Sequence, residues 1–159
     1  MPADASLREH LIQLLEGGNA HAKFDDAVAR MPSEKMGVRP AGAEHSPWEI
    51  LEHMRLAQND ILRFSMSADH VSPKWPEGYW PANPAPAKDT DWSKSARSFR
   101  KDLAEFLALV RDPNQNLHKK FPWGDGQTLL REALLIADHN SYHLGELVLV
   151  RRLLGVWPK

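Results

Sequence analysis

The sequence predicts an all-α protein, a four-helix bundle that forms a single domain over residues 1–159. Four stretches carry apolar residues at helical intervals, and no stretch alternates apolar and polar residues convincingly enough to predict a strand. The length is that of one ordinary domain and is sufficient to bury a core. One proline-rich stretch separates the second predicted helix from the third. These observations favour one helical core with one long connection.

The first predicted helix runs from about Ser6 to Arg30. Ser6 and Glu9 have the spacing of a capping box, in which two side chains bond each other's backbone amides. Gly17-Gly18 interrupts the pattern, because two glycines inside a helix cost roughly 2 kcal/mol, and we expect a bend there. Beyond the bend, the same helix face carries His21 and Asp25.

The second predicted helix has the clearest start, at Ser46-Pro47-Trp48-Glu49. The serine can cap, proline is tolerated at the first helical position, and the glutamate completes a capping box. The helix should end near Met66 or Ser67. One stripe is expected to face inward: Ile50, His53, Met54, Ala57, Ile61 and Phe64. Polar residues are expected mostly outside it: Glu49, Glu52, Arg55 and Asp60.

Residues 69–91 cannot form a helix, because the segment is interrupted repeatedly by proline. A connection of this length is unusual in a compact domain and is typically either functional or disordered. Trp75, Tyr79 and Trp80 predict that the segment packs onto the bundle as a cover. Its length would also let the third helix run parallel to the second.

The third predicted helix runs from about Trp92 to Arg111 and the fourth from about Thr128 to Leu154. Pro113 and its neighbours stop the third helix, and Gly155 is placed to end the fourth. The inward face of the third comprises Phe99, Leu103, Phe106 and Val110. The inward stripe of the fourth comprises Leu129, Ala133, Ile136, His139, His143, Leu147, Val150 and Leu154.

His139 and His143 are the only residues that interrupt the apolar stripe of the fourth helix. Residues four apart lie on one helix face, so both imidazoles can reach one ion. An unpaired ring nitrogen in a core costs about 1–3 kcal/mol, so the pair needs hydrogen bonds, water or a metal ion. The spacing alone does not decide among these. Asn140 stands where zinc peptidases with an HExxH helix carry glutamate, which argues against such a peptidase.

His53 interrupts the inward stripe of the second helix in the same way. It lies roughly 10 Å from the start of its helix, and His143 lies roughly 16 Å from the end of the fourth. If these two helix ends share one end of the bundle, the three rings lie within about one turn in height; other topologies could also align them. Three neutral imidazoles would hold a divalent ion and leave one or more positions open, as reactive sites do.

The composition limits the kinds of partner that the protein can be expected to bind. The formal net charge is -1, and acidic and basic residues are interleaved without a basic block of the kind that binds nucleic acid or anionic lipid. There is no cysteine, which excludes disulfides and thiolate ligands from the protein itself. Neither a signal peptide nor a run of membrane-spanning length is visible. We therefore expect a cytoplasmic protein without nucleic-acid or membrane partners.

Two segments resemble a known family: His45-Ser46-Pro47-Trp48-Glu49-Ile50-Leu51-Glu52-His53, with Ile61-Leu62 downstream, and Asp138-His139-Asn140-Ser141-Tyr142-His143-Leu144-Gly145-Glu146. With them the chain resembles the DinB-like family of four-helix bundles, which includes the YfiT-like thiol transferases. The resemblance covers essentially the whole chain. It implies an up-down-down-up bundle with a long crossover between helices two and three. It also implies a metal site on His53, His139 and His143, with nickel or zinc as the expected ion.

The resemblance further implies a homodimer and a small-molecule substrate, with transfer to or from a low-molecular-weight thiol as the reaction class. The extra domain of the maleylpyruvate-isomerase-like branch is absent, so its reaction is not expected. The leading hypothesis is a metal-dependent transferase in which the ion activates a water or a thiol; no other catalytic residue is identified. The alternatives are a non-catalytic bundle that binds a small ligand or serves in stress, and a metal-dependent hydrolase.

Several other side chains are candidates for the site. His21 would be either a direct ligand or a hydrogen-bonding core residue, with Asp25 able to orient it. Neighbours in a helix point about 100° apart, so Glu52 and Asp138, which precede proposed ligands, should instead pair on the helix surface. Tyr142 is expected to pack as an aromatic side chain more than to donate into a pocket.

The tryptophans Trp48, Trp75 and Trp80 would either anchor the core or roof a pocket for an organic substrate. The remaining histidines are expected to be solvated, near helix ends or in loops: His10, His45, His70 and His118.

Overall fold

The computed structural model describes residues 4–158, and within that range the regular secondary structure is helical, apart from one isolated bridge between Lys120 and Thr128. The α-helices are α1 (Ala5–Glu16), α2 (Phe24–Val28), α3 (Pro47–Met66), α4 (Asp89–Arg111) and α5 (Leu129–Leu153). Two short 3₁₀ helices cover Ser33–Lys35 and Glu77–Tyr79. The prediction of an all-α fold is confirmed.

The first predicted helix is wrong as one continuous element, because it is divided into α1 and α2. The chain leaves α1 at Gly17, where φ is 70°, and continues through Gly18, where φ is 87°. Side chains with a Cβ rarely adopt such angles, so a glycine pair ends a helix more readily than it bends one. The seven residues that follow α1 lead to the short helix α2. His21 lies in this non-helical segment, so the helix face predicted to carry it does not form.

The start of α3 is confirmed in detail. Ser46 Oγ accepts a hydrogen bond from the Glu49 backbone amide at 3.2 Å, and the Ser46 amide donates to Glu49 Oε2 at 2.8 Å. Pro47 is the first helical residue, and the helix ends at Met66. The local sequence signals alone are sufficient to place this boundary.

The prediction that Glu49 and Glu52 lie outside the buried face of α3 is wrong: both are buried. Each carboxylate is paired with an arginine. Arg39 Nε donates to Glu49 at 2.8 Å, and Arg55 Nε donates to Glu52 at 2.9 Å. Burial raises the pKa of Glu49, but hydrogen bonds from Arg39 and Ser46 lower it below its ordinary value. Paired in this way, a carboxylate can be buried without a large loss of stability.

Helices α4 and α5 largely follow their predicted patterns. Helix α4 begins at Asp89, three residues earlier than expected, and Thr128 caps α5 by accepting a hydrogen bond from the Arg131 amide at 3.1 Å. The predicted stripe of α5 is buried except for half-buried His139 and Leu154. Because α3 packs against both α4 and α5 while α1 packs on the last two, the stripes meet in one interior.

The buried apolar residues form two clusters. The first includes Ile50, Met54, Phe99, Leu144 and Leu147. The second includes Leu62, Phe106, Ala133, Ile136 and Ala137. Along α5, His139 and His143 lie between Ala137 of the second cluster and Leu144 of the first, so polar rings mark the boundary between the two. No helix in residues 4–158 has the length and apolar character needed to cross a bilayer.

The crossover between α3 and α4 is anchored on α3. Asp60 accepts a hydrogen bond from the Tyr79 hydroxyl at 2.7 Å, and its other oxygen lies 2.6 Å from His70 Nε2. Tyr79 and Trp80 are half-buried, whereas Trp75 is 70% exposed. The part of the crossover around Tyr79 and Trp80 therefore covers the bundle, and the part around Trp75 does not.

Candidate metal centre

The structure brings together the three histidines that the sequence singled out. His53 projects from α3, and His139 and His143 project from one face of α5. Ring nitrogens of the three lie within 4.8 Å of one another, and this group could hold a metal ion. His53 and His143 are buried and His139 is half-buried. This grouping is consistent with the predicted heights of His53 and His143 in the bundle.

Two of the three rings have their Nδ1 atoms occupied by other partners. His53 Nδ1 lies 2.8 Å from the backbone carbonyl oxygen of Tyr79, and His143 Nδ1 lies 2.8 Å from Glu146 Oε2. A carbonyl and a carboxylate can only accept, so both Nδ1 atoms carry the proton. In the neutral rings Nε2 is left with a lone pair, which is the arrangement found in metal-binding histidines.

The Nε2 atoms of His53 and His139 face each other at 3.0 Å. Two lone pairs at this separation repel unless a hydrogen or a cation lies between or beside them. Two imidazole ligands of a tetrahedral zinc ion, at about 2.0–2.1 Å from the metal, are separated by about 3.3 Å. The donor set thus fits a divalent ion that accepts nitrogen ligands, and three imidazoles leave at least one coordination position open.

The protonation states also suit a metal. Burial, followed by the nearby His143 and His53, lowers the pKa of His139 to about 4. Burial is also the main reason that the pKa of His53 is lowered, and the hydrogen bond to Tyr79 only partly offsets it. Ligand imidazoles must be neutral, and these two rings are neutral at physiological pH.

Trp80 covers one side of the group. Its ring is stacked on that of His53, with the ring centroids 3.9 Å apart and an interplanar angle of 2°. It is also stacked on that of His45, with the centroids 4.0 Å apart and an angle of 13°. Two nearly parallel rings this close to one indole must occupy its opposite faces. Trp80 is therefore held between His45 and His53. The prediction that His45 is solvated is wrong, because this stack and Glu146 hold the ring in a half-buried position.

Glu146 is the residue of the site that sequence reasoning missed. It accepts from His143 and lies 3.2 Å, through Oε1, from His45 Nδ1. Burial raises the pKa of Glu146, but the hydrogen bonds and charges of His143 and His45 lower it below its ordinary value. The three-residue spacing from His143, which places both side chains on one helix face, was the available signal.

His21 and Asp25 do not reach the group. His21 is exposed, and its Nδ1 lies 2.9 Å from the neighbouring carbonyl oxygen of Ala22. Asp25 is exposed and accepts a hydrogen bond from Arg100 Nε at 2.6 Å. Both predictions of an inward role are wrong, because they assumed one continuous helix from α1 through His21 and Asp25. The chain is not helical between α1 and α2.

Neither Glu52 nor Asp138 joins the histidine group, as predicted. Glu52 pairs with Arg55 but is buried, so it does not lie on the helix surface as expected, whereas Asp138 is exposed. Tyr142 was expected to pack, but it is 73% exposed; its ring lies edge-on to that of His143, with the ring centroids 4.9 Å apart.

Among the tryptophans, Trp48 anchors the core and Trp75 is exposed. His10 and His118 are exposed as predicted. His70 is half-buried through its contact with Asp60, so that prediction of a solvated ring is wrong.

A comparison with known proteins adds one finding. A family model described as DinB superfamily matches residues 18–147, well over half of the chain. The matched range includes α3, α4 and the part of α5 that carries His139, His143 and Glu146. No curated protein and no solved structure matches the chain.

Proposed function

The chain belongs to the DinB superfamily, and from this premise we propose that it is an enzyme dependent on one divalent metal ion, bound by His53, His139 and His143. The observation that carries the proposal is that ring nitrogens of the three histidines lie within 4.8 Å of one another. In His53 and His143 the Nδ1 atom is already hydrogen-bonded, to Tyr79 and Glu146 respectively. Nickel and zinc are the ions proposed, since neutral imidazoles suit both.

The metal would act as a Lewis acid that lowers the pKa of a water or a thiol, so that an anion is available at neutral pH. The protein's own contributions are binding, orientation and cover. Tyr79 and Glu146 hold two of the rings in the tautomer that directs Nε2 inward. Trp80 shields the face of His53 from water. A dry, fixed set of nitrogen donors increases the effect of an ion on its open position.

For the reaction we propose transfer to or from a low-molecular-weight thiol, with a small organic molecule as the other substrate. The support for this class is the resemblance to the thiol transferases of the family. Hydrolysis is the competing outcome, since the same site can serve water as nucleophile. Simple ester substrates separate the two: turnover that needs an added thiol supports transfer, whereas turnover unaffected by thiol favours hydrolysis.

The metal is tested first by elemental analysis of purified protein. Wild-type chain should hold about one ion, as expected for a site with three histidine ligands. The double variant His139→Ala with His143→Ala should hold almost none. The matched control is His10→Ala with His118→Ala, which removes two exposed histidines and should keep full occupancy. Full occupancy in the first double variant, or a metal-free wild type, would favour the alternative of a non-catalytic ligand-binding bundle.

We also propose the up-down-down-up order for α1, α3, α4 and α5. Contacts between α3 and α4 support a parallel pair, because they advance in the same direction. Gln58 donates to the Phe99 carbonyl at 2.8 Å, and further along both helices Arg63 lies 3.2 Å from Glu105.

Contacts between α3 and α5 support an antiparallel pair. The rings of His53 and His143 are 4.5 Å apart, and further along α3 the Gln58 side chain accepts from Asn140 at 2.9 Å. The residue number falls on α5 as it rises on α3. The homodimer and the cytoplasmic location stay predictions.

A further inference from the structure

Glu146 joins two histidines that lie far apart in the sequence. Its Oε2 accepts from Nδ1 of the proposed ligand His143 at 2.8 Å, and its Oε1 lies 3.2 Å from Nδ1 of His45. The two oxygens of one carboxylate are thus used by two imidazoles. Because His45 is stacked on Trp80, the carboxylate is held from the loop before α3 as well as from α5.

The partner of His53 differs from that of His143. His53 donates to a neutral backbone carbonyl, whereas His143 donates to a carboxylate. An anion as acceptor makes a stronger hydrogen bond and increases the basicity of the opposite ring nitrogen. It also offsets part of the positive charge that a divalent ion with three neutral ligands would bring into a half-buried site.

We propose that Glu146 is the positioning residue of the metal centre: through its hydrogen bond it fixes the orientation and tautomer of His143, and its charge strengthens the binding of the ion. His45 acts through Glu146 by holding the carboxylate in place. This inference rests on the proposed function, since it assigns the role of a residue toward the ion bound there. A purely structural role would be a tether between His45 and α5, with no effect on the metal.

The first experiment compares metal affinities, with Co²⁺ titrated by its visible absorption and then displaced by Zn²⁺. Glu146→Gln keeps the size of the side chain but removes its charge, and it replaces one of the two oxygens, which face different imidazoles, with an amide nitrogen that only donates. Its affinity should fall by about 10- to 100-fold, the effect expected of a lost partner of a metal-bound histidine. The absorption of bound Co²⁺ should also change, because the ring of His143 is no longer fixed.

Asp138→Asn is the matched control. It removes the same charge from a residue next to His139, but Asp138 is exposed and lies outside the histidine group. Its affinity should change by less than about threefold, since exposed charges are screened. An affinity of Glu146→Gln equal to that of the wild type, or a loss as large in Asp138→Asn, would overturn the proposal. A wild type that binds neither metal would overturn the proposed function as well.

The second experiment needs no metal and no variant. Nitrogen-15 spectra of the chelator-treated wild type at about pH 8, where free histidine is neutral, report the tautomer of each ring. His143 should be protonated at Nδ1, with an N–H proton that exchanges slowly with water. A His143 ring protonated at Nε2 would overturn the positioning role even if the wild type binds metal, and so separates failure of this inference from failure of the metal site.

Discussion

The Nδ1 atom of His53 lies 2.8 Å from the backbone carbonyl oxygen of Tyr79. This contact connects a proposed ligand on α3 to the crossover that follows the helix. The same tyrosine returns to α3 through its hydroxyl, which donates to Asp60 at 2.7 Å. Tyr79 thus contacts α3 at two points seven residues apart, so the position of the crossover and the orientation of the His53 ring depend on each other.

The hydroxyl of Tyr79 should contribute measurably to stability. Tyr79→Phe removes the donor to Asp60 and should lower the free energy of unfolding by about 1–2 kcal/mol, below the full range for bonds to charged groups because the side chain is half-buried. Burial raises the pKa of Tyr79, and the contact with Asp60 raises it further, to about 12. Urea unfolding measures the change. The other tyrosine, Tyr142, is 73% exposed, and equal effects of Tyr142→Phe and Tyr79→Phe would contradict the prediction.

Trp80 should matter more than Trp75, although both lie in the crossover. Trp80→Ala removes stacking on His45 and His53, each stack being worth about 0.5–1.5 kcal/mol. Together with the lost apolar burial, the free energy of unfolding should fall by about 2–3 kcal/mol. Trp75→Ala, at a position 70% exposed, should change it by less than about 1 kcal/mol. Thermal unfolding of both variants without metal checks the difference, and a larger loss for Trp75→Ala would refute it.

The stability of the metal-free protein should fall as the solution is acidified. The folded pKa of His139 is lowered to about 4, whereas the ring in an unfolded chain titrates near 6.5. Between these values the unfolded state binds the extra proton, so stability present above about pH 6.5 is lost as pH falls toward 4. His53, whose pKa is also lowered, adds to the slope.

The slope from one histidine can reach about 1.4 kcal/mol per pH unit. Unfolding by urea in the presence of a chelator, at several values from pH 7 to 4.5, measures it. His139→Gln should show a shallower dependence of stability on pH than the wild type. Glutamine does not titrate, so the unfolded state no longer binds an extra proton at this position. Parallel curves for the two proteins would show that His139 is not held neutral by the fold.

The pair on α5 could be predicted from sequence because it depends on helix geometry alone. A spacing of four places His139 and His143 on one face whatever surrounds the helix. To predict that His53 joins this pair, one must also know the relative heights of the two helices. The rise per residue gives these heights only if the helix directions are known. The capping box at Ser46 was equally local, and it fixed the start of α3 correctly.

Other parts of the site depend on conformations that a periodic pattern does not contain. His45 and Trp80 are brought to the group by loops, and their stacking follows from tertiary packing. Glu49 and Glu52 look like surface residues, but both are buried, and Arg39 and Arg55 neutralise the two carboxylates. The division between α1 and α2 depends on backbone angles that two glycines permit but do not require.

Gly17 and Gly145 should respond in opposite directions to the same substitution. A Cβ at either position meets no atom within 4 Å, so neither variant gains or loses packing. Gly145 lies inside α5 and is exposed, and Gly145→Ala should raise the free energy of unfolding by about 0.5–1 kcal/mol because alanine favours the helix. Gly17, at φ 70° and ψ -173°, occupies a region almost exclusive to glycine, and Gly17→Ala should lower it by about 1–3 kcal/mol. Urea unfolding of both variants measures the two signs, and a stabilising Gly17→Ala would mean that α1 continues past Glu16 in solution.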